Sequence, residues 1–166
     1  MNLPDMLRKA GLDVTDLRSE LPTNPDVPFP LRGIQEIQGI VCHHTAGWRK
    51  ATAKGIAYWC IEKREFPSMP YTFYVKWPDG KIDWCLDFEQ AGWHCKSHNI
   101  DTFGIALAGN WRDEEPPEPM VKSLVVLVEV LREYFKQELS FQPHYALSST
   151  VCPGKVWEAY LREERK

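Results

Sequence analysis

The stretch IQGIVCHHTAG, residues 37–47, runs from an apolar segment into two adjacent histidines and ends at a glycine. Its Ile-Val-Cys run is typical of a strand that is buried on both faces. Because neighbouring side chains of a strand point to opposite faces, only one of the two histidines can face a given cleft. Taken alone, the stretch fits a packed core histidine, a metal ligand or a catalytic base, so residues elsewhere must decide between them.

Strand and helix patterns alternate along the rest of the chain. A Pro-Asp-Gly turn joins two aromatic and β-branched runs in YTFYVKWPDGKIDWCL, residues 71–86, which predicts a hairpin. A further apolar run, TFGIALAGNW at residues 102–111, predicts another buried strand. Apolar spacing predicts helices at residues 52–64, where Gly55 weakens the pattern, and at residues 120–139. A short helix is expected at residues 4–10, and a last one follows the turn-rich loop at residues 141–155.

This alternation predicts an α/β fold, with a single domain in which a central mixed β-sheet is flanked by helices. Residues 1–35 combine the first short helix with a proline-rich stretch, and we expect them to form an N-terminal extension with an extended arm. Residues 36–166 then make up the main domain. A chain of 166 residues is long enough to bury a core without disulfide or metal crosslinks.

Composition excludes several classes of partner. The net charge of −3 and the absence of a long basic run give no general attraction to nucleic acid. No segment approaches the roughly 18 apolar residues of a membrane span, and the N-terminus lacks the apolar core of a signal peptide, so we expect no membrane insertion and a cytoplasmic origin. Five cysteines at irregular spacing do not form a secreted disulfide framework.

Two late residues offer partners for the histidine pair. His144 and Cys152 lie eight residues apart in a loop that ends with VCPG. Together with one histidine of the pair they form a His₂Cys set, a pattern of catalytic zinc sites that leave a fourth position open for water. Zinc in such a site lowers the pKa of bound water to about 7. The same residues also fit structural roles, or a thiol hydrolase in which Cys152 and His144 are nucleophile and base.

Four segments together resemble one known family. IVCHHTAG, YTFYVKWPDGKI, WHCKSHNIDTFGIALAGN and PHYALSSTVCPG occur in the order and approximate spacing of the zinc-dependent N-acetylmuramoyl-L-alanine amidases. This group includes the amidase-type phage lysozyme and the animal peptidoglycan recognition proteins, and the resemblance covers roughly residues 36–158. It implies a peptidoglycan-recognition-protein fold and a zinc amidase domain at residues 36–166. It also implies cleavage of the amide bond between N-acetylmuramic acid and L-alanine of the stem peptide.

The resemblance assigns roles residue by residue. It implies one Zn²⁺ ion held by His43, His144 and Cys152, with Tyr71 as a donor to the developing oxyanion and Thr150 as a catalytic hydroxyl. His44 is then either a packing residue or a substrate contact. The candidates for substrate contact are His44, His94, Asn99 and Trp48.

Peptidoglycan is the implied partner, and we expect a monomer. A wall hydrolase without an export signal is typical of a bacteriolytic phage endolysin, which stays in the host cytoplasm until it is released to the wall at lysis. Two related alternatives stay open: a recognition module that binds muropeptides without cutting them, and a recycling amidase that acts on soluble fragments. The recycling enzymes have an aspartate at the position of Cys152, which argues against the second alternative.

Overall fold

The computed structural model describes all 166 residues and places the histidine pair at the end of a central strand. Six strands form one mixed sheet, in the order β1-β4-β3-β5-β2-β6. The strands are β1 (Val14–Asp16), β2 (Gly39–His44), β3 (Phe73–Val75), β4 (Ile82–Trp84), β5 (Thr102–Leu107) and β6 (Ser140–Pro143). The helices are α1 (Leu3–Lys9), α2 (Ala53–Arg64), α3 (Glu118–Phe135) and α4 (Val156–Glu164). The predicted mixed α/β sheet flanked by helices is confirmed.

The central strands explain why functional side chains gather at one edge of the sheet. Strand β2 pairs in parallel with β5 on one side and with β6 on the other, and β3 is also parallel to β5. The carboxyl ends of these four strands therefore lie at the same edge. Cys42 is opposite Pro143 in the register, so the next residues along each chain, His43 and His144, become neighbours.

The predicted hairpin is confirmed, with Phe73–Val75 antiparallel to Ile82–Trp84. Helix α3 covers the sheet with an apolar stripe that includes Leu124, Val128 and Leu131, each of which is fully buried. The predicted end of this helix at residue 139 is wrong. Lys136 adopts a left-handed conformation with φ of 53°, which ends the helix after Phe135 and turns the chain toward β6.

Two short strands were missed in the sequence. Strand β6 and a 3₁₀ turn at His144–Ala146 lie within the segment that was predicted to be a loop. In the N-terminal segment, Val14–Asp16 pairs in parallel with Ile82–Trp84 and forms an edge strand instead of a simple extended arm. Both strands are too short for a residue alternation to be distinguished from a loop. None of the helices has the length and apolar character that crossing a membrane requires.

Candidate metal centre

The sheet brings one histidine of the pair to the two late residues. His43 is 1% exposed, and its Nδ1 lies 3.6 Å from the Sγ of Cys152. Its ring centroid is 4.5 Å from that of His144. One nitrogen from each histidine and the cysteine sulfur all lie within 4.8 Å of one another. The three residues that the sequence analysis expected to bind zinc are therefore neighbours in space.

The turn after β6 holds Cys152 in place. Its Sγ accepts a hydrogen bond from the backbone N–H of His44 at 3.3 Å, and its carbonyl accepts one from the N–H of Tyr145 at 2.9 Å. Its own N–H donates to Thr150 Oγ1 at 3.2 Å. Burial raises the pKa of the Cys152 thiol to about 12. In the metal-free protein the sulfur is consequently a thiol, and a bound cation is needed to stabilise the thiolate.

The donor set fits zinc. From bond lengths of about 2.0–2.1 Å to nitrogen and 2.3 Å to sulfur, a tetrahedral zinc ion separates its ligand atoms by about 3.4–3.6 Å. The 3.6 Å between His43 Nδ1 and Cys152 Sγ already has this spacing. Burial lowers the pKa of both His43 and His144, which keeps the imidazoles neutral as metal ligands must be. The three donor atoms, which lie within 4.8 Å of one another, are thus close to the spacing that one zinc ion requires.

His44 borders the same cavity as the cluster but makes a side-chain contact of its own. Its Nδ1 accepts a hydrogen bond from the backbone N–H of Trp111 at 3.0 Å, and the residue is 4% exposed. This contact ties the end of β2 to the turn that follows β5. The structure therefore resolves a choice that strand alternation left open, because His43 and not His44 shares the cluster with His144 and Cys152.

Two further expected residues flank the cluster. The ring centroid of Tyr71 lies 5.1 Å from that of His43, and burial raises the pKa of the Tyr71 phenol. The phenol therefore keeps its proton at neutral pH and is available as a donor. Thr150 borders the same cavity, with its Oγ1 already accepting from the Cys152 amide. Its hydroxyl hydrogen is still free to turn toward the cavity.

The cluster lies at the base of a cavity of about 690 Å³. Trp48 is at the rim and is 71% exposed, in keeping with the expected substrate contact. Helix α2 and the residues after it provide much of the remaining wall through Trp59, Arg64 and Phe66, which were not predicted from the sequence. The signal available in the sequence was Trp59, a large aromatic residue in the helix predicted after the histidine stretch.

Asn99 and His94 differ in where they lie relative to the cavity. The Oδ1 of Asn99 accepts the backbone N–H groups of His94 and Cys95 at 3.0 and 2.8 Å, and Asn99 does not border the cavity. His94 borders the cavity and stays a candidate for substrate contact. It is 8% exposed, and its Nδ1 lies 2.9 Å from His43 Nε2. The role of Gly104 was not predicted from the sequence. A Cβ at this position would lie 3.0 Å from His94 Nδ1.

Comparison with known families identifies the family of this chain. A family model described as N-acetylmuramoyl-L-alanine amidase matches residues 33–155. The chain belongs to this amidase family. Among individual relatives, it is 30% identical over 95 residues to a peptidoglycan-recognition protein of Drosophila simulans, which is 56% of this chain and 52% of that protein. This chain thus spans about half the length of the curated relatives it matches.

Solved structures of similar proteins share the amidase-family fold. The Ph2119 endolysin from a Thermus scotoductus bacteriophage aligns with a TM-score of 0.77 at 22% identity, covering 89% of this chain and 98% of that chain. Peptidoglycan recognition protein LE, solved in complex with tracheal cytotoxin, a monomeric diaminopimelic acid-type peptidoglycan, aligns with a TM-score of 0.76 at 21% identity. That alignment covers 93% of this chain and 94% of the other. At these identities the likeness establishes the fold.

Proposed function

We propose that this protein is a zinc-dependent amidase that hydrolyses the bond between the lactyl group of N-acetylmuramic acid and L-alanine of the stem peptide. The observation that carries the proposal is the convergence of His43, His144 and Cys152, whose ligand atoms lie within 4.8 Å of one another at the base of an aromatic cavity. Membership of the N-acetylmuramoyl-L-alanine amidase family supports the same bond specificity.

The three ligands would hold a single Zn²⁺ beside the cavity that they line. When bound, zinc supplies Lewis acidity, which polarises the scissile carbonyl and makes hydroxide available near neutral pH. Tyr71 keeps its phenolic proton and donates a hydrogen bond to the oxygen that gains negative charge as the carbonyl is attacked. Thr150 orients water or substrate through the hydroxyl hydrogen that its bond with the Cys152 amide leaves free.

Trp48 and Trp59 are suited to packing against sugar or peptide groups at the mouth of the cavity, where they are 71% and 52% exposed. Residues 36–166 would form the catalytic domain and residues 1–35 an N-terminal extension to it. We further propose that the protein is a phage endolysin that acts on bacterial peptidoglycan as a monomer and is held in the host cytoplasm until lysis. Its likeness to the Ph2119 endolysin supports this biological role.

A recognition protein that binds muropeptide without cutting it is the second candidate function. The similarity to the Drosophila simulans peptidoglycan-recognition protein favours this alternative. The presence of Tyr71 beside a complete His₂Cys set favours hydrolysis instead. A thiol hydrolase is disfavoured because burial raises the pKa of Cys152 to about 12, which leaves too little thiolate for a nucleophile at neutral pH.

One experiment tests the proposed function directly. Purified protein is analysed for bound metal and then incubated with intact sacculi and, separately, with soluble muropeptides, and the products are identified by mass spectrometry. We expect one zinc per chain and stem peptides released with a free L-alanine amine. A chelator should abolish hydrolysis and added zinc should restore it. Cleavage at another bond, or cleavage that resists the chelator, would contradict the proposal, while a preference for soluble fragments would indicate a recycling amidase.

A further inference from the structure

The nitrogen of His43 that faces away from the metal cluster has a buried partner. His43 Nε2 lies 2.9 Å from His94 Nδ1, and the two rings meet edge to face with centroids 5.1 Å apart. His43 Nδ1 is the nitrogen near Cys152 Sγ, at 3.6 Å. A single hydrogen can lie between His43 Nε2 and His94 Nδ1, so the state of one ring determines the state of the other.

The far side of the His94 ring determines where that hydrogen lies. His94 Nε2 is 3.3 Å from Thr102 Oγ1 and 3.4 Å from the Thr102 carbonyl oxygen. The Thr102 hydroxyl already donates its only hydrogen to the His98 carbonyl at 2.5 Å. Both neighbours of His94 Nε2 are therefore acceptors, and this nitrogen must carry the hydrogen. In a neutral ring, His94 Nδ1 is then an acceptor, and His43 Nε2 is the donor to it.

We propose that His94 is a positioning residue that holds His43 in its Nε2–H form, so that the Nδ1 lone pair of His43 faces the metal. The inference rests on the proposed zinc site and deepens it. Metal-binding histidines commonly donate their second ring N–H to a protein acceptor, which fixes the tautomer and the ring plane. Here that acceptor is a second imidazole, itself oriented by Thr102.

Two further residues support this arrangement. Gly104 on β5 makes room for the ring pair, because a Cβ there would lie 3.0 Å from His94 Nδ1 and 3.2 Å from His43 Cδ2.

Arg32 holds the carbonyl of Thr102, to which its guanidinium donates at 2.5 Å. The same guanidinium donates to the carbonyls of Asn99 and Ile100, which fixes the loop that follows His94. Gly104 thus leaves space for the His94 ring, and Arg32 fixes the carbonyl that lies next to its Nε2.

A matched pair of variants tests the role of the acceptor. His94→Asn and His94→Leu have nearly the same shape, but only asparagine places an acceptor oxygen at the position of Nδ1. Zinc affinity is measured by competition with a chelator, and thermal unfolding of the metal-free proteins shows that each variant folds. We expect His94→Leu to lose about 10–100-fold in zinc affinity, the usual effect of removing such a partner. His94→Asn should recover most of that loss. His98→Leu, at a half-buried histidine whose ring contacts Asp101, should bind zinc as the parent does.

Equal zinc affinity in the parent and a folded His94→Leu variant would overturn the inference, and so would equal losses in both His94 variants. A second measurement does not depend on any variant. Long-range ¹H–¹⁵N spectra of the unaltered protein identify the protonated nitrogen of each histidine, and we expect Nε2–H in both His43 and His94. An Nδ1–H form of His43 would overturn the inference. Failure of the unaltered protein to bind zinc would instead overturn the proposed function, whatever the spectra show.

Discussion

The three candidate ligands come from two regions that differ in how firmly they are held. His43 belongs to β2, between β5 and β6, and contacts at both ring nitrogens fix its ring. His144 and Cys152 lie in the 3₁₀ turn and loop after β6, where His144 is half-buried and burial alone lowers its pKa. The difference indicates that the sheet presents one preset ligand, and that the half-buried His144 ring is the least constrained of the three.

The largest expected effect comes from removing a ligand in the turn. Cys152→Ser should lose stoichiometric zinc and fall to the hydrolytic background of the chelated protein, because zinc prefers thiolate to hydroxyl. The folded structure should persist, since a serine oxygen can still accept the His44 N–H. Metal analysis, hydrolysis of sacculi and circular dichroism measure these three properties. Full zinc occupancy in this variant would show that the turn does not contribute a ligand.

Tyr71 lies beside the preset ligand, so its loss should affect turnover and leave metal binding intact. Tyr71→Phe removes the proposed oxyanion donor and should lower kcat by about 10²–10³-fold, the usual effect of losing one such donor. Its zinc affinity should match that of the parent. Steady-state kinetics on soluble muropeptides, with zinc content measured on the same samples, check both expectations. Unchanged kcat would remove Tyr71 from the mechanism.

Alanine substitutions compare the two regions most directly. His43→Ala leaves the buried Nδ1 of His94 without its donor and opens a cavity, so the metal-free protein should lose about 1–3 kcal/mol of unfolding free energy. His144→Ala removes a half-buried ring in a turn and should change that free energy by only about 0.5 kcal/mol. Both variants should lose zinc binding. Urea unfolding in the presence of a chelator measures the difference, and equal losses of stability would contradict the comparison.

Acid should also destabilise the sheet side. Burial lowers the folded-state pKa of His94 to about 3 and that of His43 well below 6.5, whereas both titrate near 6.5 when unfolded. Below pH 6.5 the unfolded chain therefore binds protons that the folded chain does not. The unfolding free energy of metal-free protein should fall by up to about 1.4 kcal/mol per pH unit for each ring.

Urea midpoints at pH 7 and pH 5.5 measure this decrease. The buried pair, His43 and His94, should account for most of it. The smaller downward shifts of His44 and His144 act in the same direction. His94→Asn removes one of the two strongly shifted rings and should lessen the pH dependence. A midpoint that stays constant over this range would mean that the ring pair is not held neutral by burial.

Much of the fold was predictable because its strands carry strong local patterns. The hairpin around the Pro-Asp-Gly turn and the apolar run into β5 were both recognisable from sequence. The two shortest strands were not, because Val14–Asp16 and Ser140–Pro143 are defined by their partners across the sheet. Likewise, the early end of α3 could not be predicted, because the left-handed position is occupied by Lys136 and not by the usual glycine.

The residue types of the candidate site were predictable, but the register of the strands that brings them together was not. Alternation along β2 could show that His43 and His44 face opposite ways, but only the pairing of Cys42 with Pro143 places His43 beside His144. The chemistry of Asn99 suited a substrate contact, yet its oxygen is used by two backbone amides. Whether an asparagine side chain binds nearby backbone amides depends on the path of the loop backbone, which residue types alone do not show.

The two outermost strands of the sheet have a consequence for handling the protein at high concentration. At one margin β1 is three residues long, and at the other β6 has four residues and ends in Pro143, which has no N–H to offer. Neither margin gives a second molecule a long row of free backbone groups to pair with. We therefore expect little aggregation through strand addition, even where many copies accumulate in a confined space.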